Sequence, residues 1–264
     1  MLEVILVMKT VLNITNNFKN KDSYVLGIIT DIHGNDKALD EALKYLKDCD
    51  YIISLGDLIG IGPNSNEVLN RVRTLDNFYT VLGNHERYLL FGFNNPLSCL
   101  TLDQQKFTED SISEENKEYV KNIPLEIHFE WNNKTICILH YARRKYKEMR
   151  FKLIDHNPSY ERLVELFEFH DQDYIIYGHE HVGSFFDNEN DLNNKHRYFI
   201  NPGSTGCPCP VKDELRFGKL YLDESIRFEF INKQYDSSDV VKAMIDKNMP
   251  NKEKIIKDFY KYSL

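Results

Sequence analysis

The sequence predicts an α/β fold in which two stacked, mixed β-sheets lie between flanking helices, with a short helical tail at the C-terminus. Through the first two thirds of the chain, hydrophobic runs typical of buried strands alternate with amphipathic helical patterns. From about residue 182 the pattern changes to strands alone, and helical spacing returns after Tyr235-Asp236. Alternation of strands and helices followed by a strand-rich end indicates two packed sheets with helices outside them.

The predicted buried strands share two features, a short apolar run and a metal-binding residue type immediately after it. The runs cover residues 25–29, 51–55, 78–82, 136–139 and 174–177. Side chains at the carboxyl ends of strands in an open α/β sheet usually line one crevice. We therefore expect the residues that follow these runs to share one pocket.

Helix signals fill the intervals between these runs. Asn35 is placed to cap a first helix, and Asn64 with Glu67 forms a capping pair for a second. Residues 92–122 have a mostly helical pattern, and Ser159 begins a further helix after a proline. These helices would cover the outer faces of the sheets.

The C-terminal third predicts strands and then the tail. The strand-like runs are residues 185–186, 198–200, 220–222 and 228–230, and the tail has apolar residues at helical spacing on both sides of Pro250. We expect residues 1–22 to be an N-terminal extension, in which residues 2–7 either add an edge strand or are frayed. Residues 23–264 should form a single domain that includes the helical tail at about 236–262, because its motifs come from both halves and must converge.

Composition limits the class of function. The chain has 264 residues, 42% of them hydrophobic, with a net charge of −8 and a pI near 5.6. A duplex nucleic-acid binder would be basic, so broad binding to DNA is not expected. No run approaches the roughly 20 apolar residues of a membrane span. Five scattered cysteines, an odd number, indicate reduced thiols and a cytoplasmic location.

The residues after the five hydrophobic runs form a series of metal-ligand motifs. The motifs are Asp31-Ile32-His33, Gly56-Asp57, Gly83-Asn84-His85-Glu86, His140 and Gly178-His179-Glu180-His181. A set of carboxylate, amide and imidazole groups without a thiolate suits Mn²⁺, Fe or Zn²⁺. One such motif would be weak support for a metal site, but five at strand ends are hard to obtain by accident.

This motif set resembles the calcineurin-like metallophosphoesterases, in particular their compact prokaryotic branch, over roughly residues 24–231. The resemblance implies an αββα sandwich and a centre with two divalent metal ions. It implies that the first ion is held by Asp31, His33 and His181, the second by Asn84, His140 and His179, and that Asp57 bridges both. His85 matches the catalytic histidine of the family, which acts on the leaving oxygen or on the charge of the phosphate. Glu86 is expected to support the ligands and not to catalyse.

Two departures from the family pattern bear on the substrate. No arginine follows Gly56-Asp57, which disfavours phosphoprotein phosphatases and symmetrical dinucleoside tetraphosphatases. Tyr141 stands where the family usually has a small residue, and a basic segment follows it, which includes Arg143, Arg144 and Lys147. This segment is either a clamp for phosphates beyond the scissile one or a solvated charged loop. In the first case, Tyr141 or Tyr146 could stack on a base.

The sequence therefore predicts a cytoplasmic, dinuclear-metal hydrolase. Its substrate would be a small phosphodiester or a nucleotide polyphosphate. The alternatives are a protein phosphatase and a non-catalytic scaffold of the same fold. The sequence does not define the oligomeric state.

Overall fold

A computed structural model of the chain describes residues 10–92, 102–145, 150–188, 195–207 and 211–262. Its strands are β1 (Val11–Asn13), β2 (Tyr24–Ile29), β3 (Tyr51–Ser54), β4 (Phe78–Thr80), β5 (Glu126–Trp131), β6 (Lys134–Leu139), β7 (Tyr174–Ile176), β8 (Ser184–Phe186), β9 (Tyr198–Asn201), β10 (Glu214–Leu222) and β11 (Ile226–Gln234). Its helices are α1 (Asp36–Leu46), α2 (Ser65–Arg73), α3 (Asn84–Phe91), α4 (Leu102–Ser111), α5 (Glu114–Lys121), α6 (Tyr160–Leu166), α7 (Ser238–Asp246) and α8 (Lys252–Ile255). A 3₁₀ turn covers Thr15–Phe18, and a π turn covers Ile256–Tyr260.

The strands form two mixed sheets, as predicted. Sheet I has the order β11-β10-β2-β3-β4, with β2, β3 and β4 parallel to one another. Sheet II has the order β1-β5-β6-β7-β9-β8, with β6, β7 and β9 parallel. The five strands that precede the metal-ligand motifs therefore belong to the parallel parts of the two sheets, with β4 at the edge of sheet I, and their carboxyl ends point to the site.

Apolar side chains hold the layers together. Leu26 and Ile53 of sheet I pack against Ile138 and Ile176 of sheet II, and all of these side chains are fully or nearly fully buried. On the outer face of sheet I, α1, α2 and α5 contribute a second core. On the outer face of sheet II, α6 does the same. The order of layers is helix, sheet, sheet, helix, which is the predicted αββα sandwich.

The described part of the N-terminal segment packs on this sandwich. β1 pairs in parallel with β5 at the edge of sheet II, from Val11 opposite Glu126 to Asn13 opposite His128. Ile14 and Phe18 are buried in the core between the sheets. Residues 1–9, with the predicted strand at 2–7, lie outside the described residues, and the division at residue 22 stays a prediction.

The C-terminal tail folds back over the loop that follows β3. Met244 of α7 and Ile255 of α8 are buried in one cluster with Ile61.

The predicted helix caps can be compared with the structure. Asn35 caps α1 by accepting a hydrogen bond from the Ala38 N–H at 2.9 Å, as predicted. Asn64 occupies the N-cap position of α2, but its side chain makes no capping bond, because its Oδ1 accepts a hydrogen bond from the Lys247 Nζ at 2.7 Å. No helix within the described ranges is long and apolar enough to cross a bilayer.

Candidate metal centre

The loops at the carboxyl ends of β2, β3, β4, β6 and β7 meet at one end of the sandwich. They bring together all seven predicted ligands and His85, although these residues are spread over 150 positions of the chain. Six of the eight are buried, and His179 and His181 are partly exposed at the mouth of the site. Sheet I supplies the candidate ligands up to Asn84, and sheet II supplies the other three, His140, His179 and His181.

One half of the centre, the Asp31 half, consists of Asp31, His33 and His181. The Nε2 atoms of His33 and His181 are 3.1 Å apart. Asp31 Oδ1 lies 3.3 Å from the His181 Nε2 and 3.6 Å from the His33 Nε2. The three ligand atoms thus surround one small space.

The other half, the Asn84 half, consists of Asn84, His140 and His179. The Nε2 of His140 is 2.9 Å from the Asn84 Oδ1 and 3.2 Å from the His179 Nδ1. This half repeats the arrangement of the first with a neutral amide oxygen in place of the carboxylate.

Asp57 lies between the two halves. Its Oδ2 is 3.8 Å from the His33 Nε2 and 3.4 Å from the His140 Nε2. A single carboxylate oxygen therefore faces both groups of ligand atoms. This is the position that the family resemblance assigns to a bridging ligand.

The hydrogen bonds behind the histidines orient their free nitrogens toward the centre. His140 Nδ1 lies 2.8 Å from the carbonyl oxygen of Leu55, and His33 Nδ1 lies 3.3 Å from that of Ile59. A carbonyl oxygen only accepts, so each Nδ1 carries a proton, and Nε2 is the atom available to a cation. Asp31 Oδ1 is buried and accepts no hydrogen bond among the described residues. Converging nitrogens and an unsatisfied carboxylate oxygen fit divalent cations.

The charges of the site's own side chains also suit a cation. The carboxylate of Asp57 raises the pKa of His140 to about 9, although burial acts in the opposite direction. Burial lowers the pKa of His179 to about 3, and the charge of His140 adds to this effect. A proton on His140 therefore takes the place that a cation would occupy, and metal binding is expected to release it.

The backbone is strained where the ligands are held. Asp31, His33, Asp57, His179 and His181 all have positive φ, between 51° and 75°. Such conformations are uncommon for residues other than glycine and cost about 1–3 kcal/mol each. Strain at five of seven candidate ligands indicates that the surrounding fold fixes their positions.

Glu86 provides part of that support. Its carboxylate is fully buried and accepts hydrogen bonds from the backbone N–H groups of Asp57, Leu58 and Gly83 at 2.8–3.0 Å. A longer bond of 3.3 Å comes from Ile59. Glu86 thus clamps the turn that carries Asp57 to the turn that carries Asn84, in the supporting role expected from the sequence.

His85 lies beside the centre and not within either half. Its Nε2 is 4.0 Å from the Asp57 Oδ2, and its ring meets that of His33 edge-on, with centroids 4.7 Å apart. Gly60 leaves room for this ring, because a Cβ at Gly60, where φ is +83°, would lie 2.0 Å from the His85 Nδ1. Burial lowers the pKa of His85 to about 3. Its assignment as the catalytic histidine stays a prediction.

The described residues of the basic segment lie in different environments. The guanidinium of Arg143 is buried and pairs with Glu126, so it does not face the solvent. Arg144 is exposed and donates from Nε to the carbonyl oxygen of Phe151 at 3.1 Å. Lys147 and Tyr146 lie outside the described residues. Tyr141 is fully buried, and therefore it is not available to stack on a base.

The sequence did not predict the positions of three groups near the centre, which are Cys207, Glu180 and Phe151. The Cys207 Sγ lies within 4.8 Å of ligand atoms of His33 and His181. Tyr141 donates a hydrogen bond to the carboxylate of Glu180 at 3.1 Å, and its ring lies 4.9 Å from that of His179. The position of Glu180 between two predicted ligands was a signal that could have revealed it. Phe151 packs 5.3 Å from the ring of His140. Nothing in the local sequence indicates that contact.

Comparison with known proteins agrees with this geometry. A model of the calcineurin-like phosphoesterase superfamily domain matches residues 25–223. An uncharacterised protein of Methanocaldococcus jannaschii is 26% identical over 241 residues, which cover 86% of this chain and 94% of the relative. A symmetrical bis(5'-nucleosyl)-tetraphosphatase of Coxiella burnetii is 34% identical, but only over 70 residues, or 26% of this chain and 24% of that enzyme.

The fold is also that of a known structure. The metallophosphoesterase of Sphaerobacter thermophilus superposes with a TM-score of 0.70 and 23% identity, over 89% of this chain and 97% of that one. The family match covers most of the sandwich and every predicted ligand. The chain belongs to the calcineurin-like phosphoesterase superfamily.

Proposed function

We propose that this protein is a metal-dependent phosphoesterase that hydrolyses a phosphodiester or a nucleotide polyphosphate at a dinuclear centre. The observation that carries the proposal is the position of Asp57, whose Oδ2 faces the His33 Nε2 of one half and the His140 Nε2 of the other. A carboxylate oxygen shared by two groups of ligand atoms suits two cations and is not needed for one.

Each residue has a role in this proposal. Asp31, His33 and His181 would hold one divalent ion, and Asn84, His140 and His179 the other, with Asp57 shared. When bound, two such ions would neutralise the phosphate oxygens and supply an activated water for in-line attack. Mn²⁺, Fe and Zn²⁺ all suit this donor set.

Side chains that do not bind metal would position the ligands and handle the proton. The strained ligand turns and the clamp of Glu86 fix the ligand positions before the substrate arrives, so little reorganisation is needed during the reaction. His85 would donate a proton to the leaving oxygen or stabilise charge on the phosphate. A negatively charged phosphate beside His85 would raise the pKa of its imidazole above the low value that burial sets.

Two observations bear on the substrate class, and they point in different directions. The partial match to a tetraphosphatase favours a nucleotide polyphosphate, but the chain lacks an arginine after Asp57, which disfavours that subclass itself. We therefore keep the broader class of small phosphodiesters and polyphosphates. We also propose a cytoplasmic location, since the cysteine content is that of a reduced protein and no disulfide joins the described cysteines Cys49, Cys137 and Cys207.

The test is a substrate screen on protein stripped of metal and then reloaded separately with Mn²⁺, Fe²⁺ or Zn²⁺. The panel contains an aryl phosphodiester, an aryl phosphomonoester, dinucleoside polyphosphates and a phosphopeptide. We expect hydrolysis of a diester or polyphosphate that depends on added metal. Preference for the phosphopeptide would support a protein phosphatase. Two bound metals without hydrolysis of any substrate would support a scaffold.

A further inference from the structure

A second cavity adjoins the Asn84 half of the centre on the side of sheet II. It has a volume of about 240 Å³ and is partly open to solvent. Its lining residues come from the loop before α6, from the turn after β7 and from β8, and are His156, Asn157, Pro158, Glu180, Val182, Ser184 and Phe186. We call it the Glu180 pocket.

Glu180 is fixed in this pocket by the metal-site turns. It lies between His179 of one half and His181 of the other, and both of these neighbours have positive φ. Its Oε1 accepts a hydrogen bond from the hydroxyl of Tyr141 at 3.1 Å, and Tyr141 directly follows His140. The second oxygen of Glu180 accepts no hydrogen bond from any residue that the structure describes. The pocket thus holds a positioned acceptor, attached to two candidate ligands.

The chemistry of the pocket suits a hydroxyl-bearing group. The oxygen of Glu180 that Tyr141 does not contact can accept a hydrogen bond from a hydroxyl donor. His156, Asn157 and Ser184 add polar groups, and Phe186 adds an apolar surface. A cavity of about 240 Å³ is smaller than the ~300–1,000 Å³ of sites that enclose a drug-sized ligand. It has room for one small unit and not for a whole nucleotide.

We infer that the Glu180 pocket binds a neutral, hydroxylated ester arm of the substrate, of the size of a pentose or a glycerol unit, and that Glu180 accepts hydrogen bonds from its adjacent hydroxyls. The inference rests on the proposed phosphoesterase function and specifies its substrate. Ribose and glycerol share this chemistry, so the experiment must separate them.

The experiment uses matched pairs of phosphodiesters. One pair carries a glycerol or an n-propyl arm, and the other carries a ribose or a 2',3'-dideoxyribose arm. Values of kcat/KM are measured by ³¹P NMR with the metal-loaded protein. We expect wild type to prefer the hydroxylated member, and the larger preference of the two pairs identifies the arm. Glu180→Gln should reduce this preference about tenfold, because an amide replaces the carboxyl group that accepts the hydrogen bonds of the hydroxyls.

Two further variants keep the test decisive. Tyr141→Phe should reduce the preference by a smaller factor, since it removes only the bond that positions the carboxylate. Glu224→Gln is the matched control, because it removes an exposed carboxylate in the β10–β11 turn, at the opposite end of β2 from the site. An unchanged preference in Glu180→Gln would overturn the inference, as would a stronger preference for an aminoethyl arm, which would indicate a cationic ligand.

Binding separates failure of the pocket from failure of the enzyme. The affinities of glycerol 1-phosphate and n-propyl phosphate for the metal-loaded protein are measured by calorimetry, which needs no turnover. Tighter binding of glycerol 1-phosphate by wild type, but not by Glu180→Gln, supports the pocket even if no diester is hydrolysed. Equal affinities in wild type would overturn the inference even if aryl diesters are hydrolysed.

Discussion

Two buried clusters of this protein both combine carboxylates with histidines but differ in how their charge is compensated. The candidate metal centre has buried aspartates among histidines. A second cluster, made of Glu126, Cys137 and His170, also places three ligand-type atoms within 4.8 Å of one another. Residue types and proximity alone would give both clusters the same function.

The difference lies in how the carboxylate charge is compensated. Glu126 pairs with the guanidinium of Arg143, and its oxygens lie 2.8–2.9 Å from the Nε2 atoms of His128 and His170. Asp31 and Asp57, in contrast, form ion pairs only with histidines among the described residues. A buried carboxylate without a cation is costly. For Glu126, the cation is the guanidinium of Arg143. For Asp31 and Asp57, it would be a metal ion taken up from solution.

The other ligand-type groups of the second cluster agree with this interpretation. Burial raises the pKa of the Cys137 thiol far above its ordinary value, so the thiolate that binds metals is not formed. Burial lowers the pKa of His170 to about 3, and the charge of Arg143 adds to this effect, so the cluster already contains the positive charge that compensates Glu126. We conclude that the Glu126 cluster is a structural ion network. It anchors the segment after His140, because Arg143 lies three residues beyond that ligand.

The largest effect is expected at the shared carboxylate. Asp57→Asn should reduce turnover about a thousandfold or more, since several kcal/mol of charge stabilisation are lost with the two cations. Metal content by mass spectrometry should fall from two ions per chain. The thermal midpoint of the metal-free variant should stay within a few degrees of that of metal-free wild type. Full activity with two metals bound would reject the shared role.

His85→Ala should leave metal content at two ions and reduce kcat about 10²–10⁴-fold. The loss should be larger for substrates with poor leaving groups, because these depend most on proton donation. A series of aryl phosphodiesters with different leaving-group pKa values measures this dependence. An equal loss across the series would indicate charge stabilisation, and loss of metal would show that His85 is a ligand.

Glu126→Gln tests whether the Glu126 cluster stabilises the fold and binds no metal. It leaves the buried Arg143 without its carboxylate and should reduce the free energy of unfolding by about 3–5 kcal/mol, measured by urea denaturation. Metal content should not change. The double variant Glu126→Gln with Arg143→Met should recover part of the loss. Asp110→Asn, which removes an exposed partner of Lys106, is the surface control. Loss of a bound metal in Glu126→Gln would show a metal site where we infer an ion network.

The smallest effect is expected from the basic segment. Arg143 is buried in an ion pair with Glu126. A clamp for distal phosphates would therefore depend on Arg144 and Lys147. Replacing both with Ala should raise KM for a nucleotide polyphosphate up to about tenfold if they contact distal phosphates. The KM for an aryl phosphodiester, which has no distal phosphate, is the reference. Parallel changes for the two substrates, or none, would leave a solvated charged loop.

The sequence predicted the sandwich and the convergence of the ligands because both depend on local patterns. Apolar runs identify the parallel strands, and the parallel strands deliver residues such as Asp31 and His140 to one end of the fold. The partner of Arg143 could not be predicted, because Glu126 is 17 positions away and they meet only after β5 and β6 pair. The side-chain cap predicted at Asn64 was wrong for a similar reason, since its Oδ1 accepts a hydrogen bond from Lys247 across a tertiary contact.

The most direct test of the comparison is anomalous diffraction from crystals soaked in Mn²⁺, with data collected on both sides of the manganese absorption edge. We expect two manganese peaks on either side of the Asp57 Oδ2, one toward His33 and His181 and the other toward His140 and His179. We expect no peak between Glu126 and His170. A single peak at Asp57, or any peak in the Glu126 cluster, would show that the two clusters do not differ in this way.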